Sequence, residues 1–397
     1  MNSRSIAENN VRTLNLFNLI DSFIMLWPII ILYYIKVGGS VASSGILLSV
    51  LTISTSFFEI PLGAFSDKFG RAKTTQIGAI VNVVAFSLIA LSWYTGFFVL
   101  AAGVLLQGFS AAAYSGNNES LLYDSSSKTD KHFLDHLAKY SKLAFYASGV
   151  SAVLGGIIAS KSFFAVAILS LIPRVLCAFL AFRLKDVRSL NAEDRYITLI
   201  ALARNGFREI KKSDKLGSFA LAEIIAGVFR EASWQYRAVF VQMIWPVWAI
   251  GFSSALDNIM NGFATSESRK IIARMGGVYK SIYKGMILDR AVQVGAVFLQ
   301  GVASPILMGA SSIFGAASDL SIGSEKQELI PDRERATVNS IISFISSLVF
   351  AGFIIPFGYM IDRFGVRVSL VASLSLVILS LPFYLKSFRD LKDKKEL

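Results

Sequence analysis

The chain has 397 residues, 54% of them hydrophobic, and carries a formal net charge of +12 at pH 7. Its mean hydropathy of +0.57 is too high for a soluble protein of this length, so the composition predicts a protein that crosses a membrane many times. A single cysteine, Cys177, excludes an intrachain disulfide and a cysteine-based metal site. His132 and His136 stand four residues apart, but two ligands without a third more often form a solvated helix face, so we expect no metal.

Apolar runs of about 20 residues, the length needed to cross a bilayer, occur in two sets of six. The first set covers residues 13–35, 41–65, 74–94, 97–118, 140–160 and 162–182. The second set covers residues 216–238, 241–264, 286–303, 305–323, 338–360 and 367–386. The pattern predicts an all-α membrane protein with twelve transmembrane helices in two six-helix bundles, residues 1–182 and 216–397.

Residues 183–215 join the two predicted bundles. Within this segment apolar residues recur at helical spacing, opposite a face that carries Arg195, Arg204, Arg208 and Lys211. This pattern predicts an amphipathic helix on the inner surface of the membrane.

The distribution of Lys and Arg along the chain predicts its orientation. With a cytoplasmic N-terminus, 32 of the 39 basic residues fall in inner segments. The outer segments hold Lys36, Lys161, Arg230, Arg237, Arg363 and Arg367. Because inner loops are enriched in positive charge, we expect both termini in the cytoplasm of a cell that carries the protein in its cytoplasmic membrane. The net charge then needs no nucleic-acid partner.

A short charged stretch, Gly63–Lys73, lies between the second and third apolar runs and reads G-A-F-S-D-K-F-G-R-A-K. We call it the hinge and expect it at the inner membrane surface. Gly63 would allow close helix packing, Asp67 would end the second helix, and Gly70 would turn the backbone. We expect the three basic side chains of the hinge to stay in water: Lys68, Arg71 and Lys73.

The hinge resembles the G-x-x-x-D-[RK]-x-G-[RK]-[RK] motif of the major facilitator superfamily, with Ala72 as a departure and Lys73 one place late. The fourth helix partly matches a second motif of this family, but Val104 stands at its arginine position. The fifth helix keeps the small residues of an exporter motif and lacks its proline at Ala152. The resemblance implies a transporter, not an enzyme, with two pseudo-symmetric halves, a central cavity and no cofactor.

Ionisable groups inside the spans are the candidate sites, because each costs roughly 2.5–3.5 kcal/mol near the bilayer centre. Asp21 lies on a polar stripe of the first helix with Asn18, and the resemblance places that helix at the cavity. We therefore predict Asp21 as the proton or cation site, the alternative being an acid hydrogen-bonded to a neighbouring helix. Glu223 and Asp257 are candidates to reach the cavity from the second bundle.

Three further side chains have weaker predictions. Tyr114 would give the cavity wall aromatic and hydrogen-bonding character, unless it only packs. Glu59 shares a helix face with Gly63 and would serve either gating or packing. Arg174 lies in the sixth helix, and we expect its side chain to extend toward the inner surface.

The hinge also carries a hypothesis about gating. Asp67 stands at the negative end of its own helix and needs a positive partner. We expect that partner at the start of the eleventh helix, where Arg335 offers a charge and free backbone N–H groups lie nearby, with Arg71 bracing the carboxylate. The contact would hold the halves together on the cytoplasmic side while the cavity faces outward.

These features predict a monomeric secondary transporter, surrounded by membrane lipid, that exports a small amphipathic molecule by alternating access. The proton gradient would drive the export. An uptake porter for a metabolite or siderophore is the alternative within transport, since Val104 and Ala152 depart from the antiporter motifs. A membrane sensor on the same fold is the alternative outside transport.

The orientation can be tested with reporters that are active on one side of the membrane. A reporter fused after Lys215 should be cytoplasmic, and one inserted at Lys161 should be external. The opposite pattern would overturn the helix count.

Overall fold

A computed structural model describes residues 3–129, 133–187, 210, 213–330 and 335–389, and these residues form helices with no strand among them. They divide into two compact units, Met1–Tyr196 with Val247–Gly251 and Ile197–Pro246 with Phe252–Leu397. The amphipathic linker helix falls outside the described residues. The predicted division at residues 182 and 216 stays a prediction.

Apart from Val247–Gly251, the described residues of the first unit form eight α-helices and one 3-10 turn. The helices are α1 (Ser3–Asp21), α2 (Ile30–Gly38), α3 (Val41–Phe69), α4 (Arg71–Thr95), α5 (Phe97–Tyr114), α6 (Asn117–Ser126), α7 (Phe133–Ala159) and α8 (Phe163–Ala181), and the turn Trp27–Ile29 precedes α2.

The second set of helices begins after the linker. These are α9 (Asp214–Gln242), α10 (Val247–Ser266), α11 (Ser268–Met275), α12 (Val278–Leu299), α13 (Ser304–Leu329), α14 (Arg335–Phe364), α15 (Val366–Leu376) and α16 (Leu381–Ser387), and a 3-10 turn, Val377–Ser380, joins the last two.

Eight helical stretches among the described residues are long and apolar enough to cross a membrane. They are α3, α4, α5 with α6, α7, α8, α13, α14, and α15 with α16. Helices α9, α10 and α12 occupy the predicted seventh, eighth and ninth spans, but their charged and polar residues lower their hydropathy. The all-α membrane fold is confirmed, and the count of twelve spans stays a prediction.

The first predicted span, residues 13–35, is not one continuous helix. Helix α1 already begins at Ser3 and ends at Asp21, and the chain becomes helical again at Trp27, where Pro28 lacks the N–H that a helix interior would need. A Cβ at Gly155 of α7 would clash with the Met25 carbonyl, so the absence of a side chain allows this backbone to pack on α7. Neighbouring helices therefore support the break, as membrane interiors require.

Three arginines that the count of basic residues placed in loop segments lie in helices, and each also falls within a predicted apolar run, 216–238 or 286–303. Arg230 and Arg237 were assigned to outer segments, but both lie in α9, which continues to Gln242. Arg290 was assigned to an inner segment, but it lies in the interior of α12, which begins at Val278. A hydropathy pattern assigns charged residues to loops. Here aspartates on the same or neighbouring helices form ion pairs with these arginines.

Close helix packing in each unit depends on a glycine without a side chain. A Cβ at Gly103 of α5 would lie 3.0 Å from the Ala85 carbonyl oxygen of α4, and a Cβ at Gly285 of α12 would lie 2.6 Å from the Phe314 carbonyl oxygen of α13. Ser318 of α13 then donates a hydrogen bond to the Ile282 carbonyl, at 2.9 Å. Small residues let these backbones approach, which is the main source of helix association in lipid.

The turn between α3 and α4 predicts a measurable difference between two glycines. Gly70 has a φ of 106°, and a Cβ there would come within 2.7 Å of Cγ of Asp186. Gly365, at the turn before α15, has a φ of 83° and a ψ of 157°, close to the ψ of 145° at Gly70, and no atom lies within 4 Å of its Cβ position. We expect Gly70→Ala to lower the thermal unfolding midpoint of the purified protein more than Gly365→Ala, which carries a similar backbone strain without the contact. Equal shifts would contradict the role of Asp186.

Candidate functional site

The hinge is held by α6 and by the chain beyond α8. The Arg71 guanidinium donates to the Asp124 carboxylate at 2.5 Å and to the Ser120 carbonyl at 2.7 Å. The Asp186 carboxylate accepts a hydrogen bond from the Ala72 backbone N–H at 3.0 Å, which stabilises the start of α4. The prediction that Arg71 braces Asp67 was wrong, because α6 offers Arg71 a carboxylate and a carbonyl together.

A buried polar network lies beneath the hinge. The Asn117 amide donates to the Arg71 carbonyl at 3.0 Å, and its oxygen accepts from the Ser66 hydroxyl at 2.5 Å. The Thr75 hydroxyl donates to the Asn118 side-chain oxygen at 2.7 Å. These bonds attach both helices of the hinge to the first turn of α6. A polar Asn-Asn pair directly after an apolar helix is the sequence signal that could have indicated this role.

The other hinge residues are exposed. Asp67 makes no hydrogen bond or ion pair within the part of the chain that the structure describes. The ammonium groups of Lys68 and Lys73 lie 5.1 and 5.5 Å from the centre of the Phe69 ring. No atom of another described helix of the first unit lies within 4 Å of a Cβ position at Gly63, and the close packing predicted there stays a prediction.

The two remaining gating candidates, Glu59 and Arg335, have hydrogen-bond partners within their own units. Glu59 accepts a hydrogen bond from the Ser115 hydroxyl at 3.0 Å. Arg335 donates to the Gln327 carbonyl at 2.6 Å and to the Ile330 carbonyl at 3.3 Å. The contact of Asp67 with residues 335–340 stays a prediction.

Asp21 is ion-paired with Arg174 at the end of α1. One guanidinium nitrogen of Arg174 donates to the Asp21 carboxylate, and another donates to the Asp21 backbone carbonyl at 2.5 Å. The Arg174 side chain is 1% exposed and lies 5.1 Å from the centre of the Phe86 ring. The prediction that Arg174 reaches the inner surface was wrong, because the break after α1 supplies acceptors inside the unit. Asp21 is 24% exposed.

Other predicted residues surround this pair. The Asn18 amide donates to the Tyr140 carbonyl of α7 at 2.9 Å. Tyr114 packs edge-on against Phe17, with 5.4 Å between ring centres, and its hydroxyl is buried without a hydrogen-bond partner among the described residues. The structure therefore places Asn18 and Tyr114 close to the end of α1, where Asp21 lies.

Asp257 has a comparable partner in the second unit. Its carboxylate accepts from the Arg237 guanidinium of α9 and, at 2.7 Å, from the Ser312 hydroxyl of α13. Arg237 also donates to the Ser253 hydroxyl at 3.2 Å and the Pro305 carbonyl at 3.4 Å. The pair is mostly buried, with side-chain exposures of 12% for Arg237 and 14% for Asp257.

A cavity of about 190 Å³ lies beside this pair and is lined by three arginines and three aspartates, among other residues. They are Arg230, Arg237, Asp257, Asp289, Arg290 and Asp319. Arg230 pairs with Asp319 at 2.7 Å, and Asp289 pairs with Arg290 at 2.6 Å. If all six are ionised, the set is neutral.

Sequence reasoning found Asp257 and missed the other five members as site residues. The glycine pair Gly276–Gly277, with φ values of 95° and 93°, marks the start of α12. Starting the ninth span there would have placed Asp289 and Arg290 in the middle of a helix.

Glu223, which was predicted to reach the central cavity, accepts a hydrogen bond from the Tyr384 hydroxyl at 2.5 Å. It does not line the 190 Å³ cavity of the second unit, and its place at a central cavity stays a prediction.

A second, wider groove of about 640 Å³ lies between α1 and α7 in the first unit. Arg12 and Asn15 line it from α1, and Asp135, His136 and Lys139 line it from α7. No group of three metal-ligating side chains occurs among the residues described, and His132 lies outside them.

A family model described as Major Facilitator Superfamily matches residues 13–323. The chain therefore belongs to the major facilitator superfamily. Quinolone resistance protein NorB of Staphylococcus aureus is 26% identical over 165 residues, 40% of this chain and 34% of that protein. NorB from a second strain is 29% identical over 120 residues, 30% of this chain and 25% of that protein. The chain thus spans about a third or less of the length of these relatives.

Solved transporter structures share the fold. The nucleoside transporter NupG superposes with a TM-score of 0.74 at 13% identity, covering 97% of this chain and 99% of that one. An inward-facing, unoccupied bacterial homologue of the human lysosomal transporter Spinster gives 0.72 at 15% identity, covering 99% and 98%. A bacterial homologue of the iron transporter ferroportin in an inward-facing state gives 0.72 at 16% identity, covering 96% and 98%. Such identities show the fold alone.

The pair of Arg174 and Asp21 predicts non-additive effects of mutation. Removing one partner of a buried ion pair costs about 3–5 kcal/mol, because the other charge is left unpaired. The partial exposure of Asp21 favours the lower end of this range. In a double-mutant cycle of thermal unfolding midpoints, Asp21→Asn with Arg174→Gln should therefore destabilise the protein by less than the sum of the two single changes. Additive effects would show that the two side chains act independently.

Proposed function

We propose that this protein exports a small amphipathic molecule through the cytoplasmic membrane by alternating access, with both termini in the cytoplasm and with protons as the driving ion. The observation that carries the proposal is the partly exposed Asp21 carboxylate at the interruption of the first span, paired with the buried Arg174. Intramembrane ionisable groups at broken helices are where transporters of many folds bind ions.

The geometry gives protonation of Asp21 a direct consequence. Loss of the carboxylate charge removes the attraction to Arg174, while the bond from Arg174 to the Asp21 carbonyl does not depend on that charge. The link between the broken first span and α8 thus weakens in part, without leaving the backbone carbonyl unsatisfied. A group that binds its proton more tightly in one conformation shifts the population of conformers by the difference in binding free energy.

One comparison with a known protein favours export. The distant relative named for quinolone resistance favours efflux, although the match covers only part of it. Val104, which stands at the arginine position of the family motif, is fully buried. The first unit has its buried guanidinium at Arg174 instead, so the missing motif arginine does not leave this unit without one. Uptake of a metabolite or siderophore remains the second candidate, favoured by the motif positions Val104 and Ala152.

The hinge and the start of α14 belong to the same proposal as a gate. Exposed Asp67 would bind Arg335 or the backbone N–H groups near it in an outward-facing conformation and separate from them in an inward-facing one. Arg71 would instead keep the hinge attached to α6 through Asp124 in both conformations.

Transport by the purified protein in liposomes with an imposed pH gradient tests the proposal. With a chemically mixed panel of substrates, Asp21→Asn should abolish gradient-driven flux and leave substrate binding measurable, because the carboxylate couples transport to protons. The direction of the flux distinguishes export from uptake.

A matched control is Glu231→Gln, which changes an exposed acid whose carboxylate accepts from Gln235 of the same helix. This variant should transport normally. Full gradient-driven flux at several pH values in Asp21→Asn would remove Asp21 from the coupling mechanism.

A further inference from the structure

Arg290 has fewer partners than its burial requires. Its side chain is 11% exposed, and its one ion pair among the described residues joins it to Asp289, its neighbour in the chain, at 2.6 Å. Its Nε is buried without a hydrogen-bond partner in the same part of the chain. A guanidinium carries five N–H donors, so most of the hydrogen-bonding capacity of this group is unused.

Arg237, in the same cavity, shows what a well-bonded guanidinium looks like in this unit. Its terminal nitrogens donate to the Asp257 carboxylate, to the Ser253 hydroxyl and to the Pro305 carbonyl. Its Nε, like that of Arg290, has no partner among the described residues, so the two arginines differ in the bonds of their terminal nitrogens. The cavity therefore has one strongly bonded arginine and one, Arg290, that has room for a further acceptor.

Two of the three acids of the cavity, Asp257 and Asp289, are better bonded than Arg290. The third, Asp319, pairs with Arg230 and is 56% exposed. Asp257 accepts from Arg237 and Ser312, and Asp289 accepts from the Gln293 amide at 2.8 Å as well as pairing with Arg290. A cationic ligand would have to displace these donors. An anionic ligand instead meets an arginine with unused donors, and planar carboxylates match the guanidinium fork.

The charge balance of the cavity limits how an anion can enter. Three arginines face three aspartates, from α9, α10, α12 and α13, and the α15 residues that line the cavity, Leu370 and Leu374, are uncharged. A ligand carboxylate alone would leave one negative charge in excess inside the membrane, where an unmatched charge is costly. Uptake of one proton by an aspartate keeps the set neutral.

Resting on the proposed function, we propose that this cavity is the binding site of a small carboxylate with an apolar body. One proton binds to the site together with the ligand. The ligand carboxylate accepts N–H bonds from Arg290 in place of Asp289. Asp289 takes one proton from solution, and its other oxygen still accepts from Gln293. No covalent bond of the ligand forms or breaks, and the net charge of the site is unchanged.

The walls and size of the cavity define the ligand further. Met308, Leu370 and Leu374 provide apolar surface for the body of the molecule, and Trp234 provides an aromatic one. A volume of about 190 Å³ is smaller than the roughly 300–1,000 Å³ of pockets for drug-sized ligands. The ligand is therefore a small one.

Benzoate and benzamide are suitable probes, because they share shape and size and differ in the carboxylate charge. Isothermal titration calorimetry of the full-length protein in lipid nanodiscs should show benzoate binding at least about tenfold more tightly than benzamide. Titrations in two buffers of different ionisation enthalpy should give one proton taken up per benzoate, with affinity falling as pH rises, by up to about tenfold per pH unit. Absence of benzoate binding, equal affinity for both probes, or absence of proton uptake would overturn the proposal.

Two variants assign the roles within the site. Arg290→Gln should weaken benzoate binding by at least about tenfold, whereas Arg363→Gln, at the exposed end of α14, should not change it. Asp289→Asn should bind benzoate without proton uptake, and persistent uptake in that variant would overturn the assignment to Asp289. If either cavity variant fails to fold, the comparison of probes and the proton count on the unaltered protein still decide the proposal.

The outcome for the site is separable from that for the proposed function. Proton-linked benzoate binding without gradient-driven flux of any panel substrate would support the site and contradict coupled transport. Flux of other substrates without benzoate binding would contradict the site and leave coupled transport standing.

Discussion

The pairing of Arg174 with Asp21 sets the constraint on which the first unit depends. A charge inside a bilayer costs several kcal/mol unless it is matched, and a helix that stops inside a membrane leaves carbonyls that no water satisfies. Arg174 meets both demands, because one guanidinium binds the carboxylate and the backbone carbonyl of the same residue. Helix α7 supplies the other support, through Gly155 beside the Met25 backbone. The broken first span is therefore held by α8 at Asp21 and by α7 at Met25.

The second unit meets the same constraint with several groups in place of one. Arginines on α9 and α12 face aspartates on α10, α12 and α13, and the six side chains sum to zero charge around a small cavity. A neutral set of this kind can exchange one negative partner for another if a proton accompanies the exchange. Arg290, which is the least well bonded of the buried arginines among the described residues, is where such an exchange costs least.

The hinge shows why a motif can be recognised correctly while its contacts are not. Gly63, Asp67, Gly70 and Arg71 stand where the motif predicts, and the turn at Gly70 has the positive φ that glycine permits. The partner of Arg71, however, is Asp124, some fifty positions away along the chain, and Asn117 fixes the backbone beside it. Neither contact follows from spacing, because both depend on how α6 continues after the turn at Gly116.

The sequence by itself determined the class of fold and the family, since apolar runs separated by short polar segments leave a chain few alternatives in lipid. It also singled out Asp21 and Asp257, because a lone acid in an apolar run is visible without a structure. Only the tertiary structure decided that Arg174 points inward, that Arg237 and Arg290 pair with acids around one cavity, and that Glu223 faces Tyr384. The physical reason is that hydropathy measures each residue against lipid. The cost of a buried charge depends instead on partners that the fold brings from distant parts of the chain.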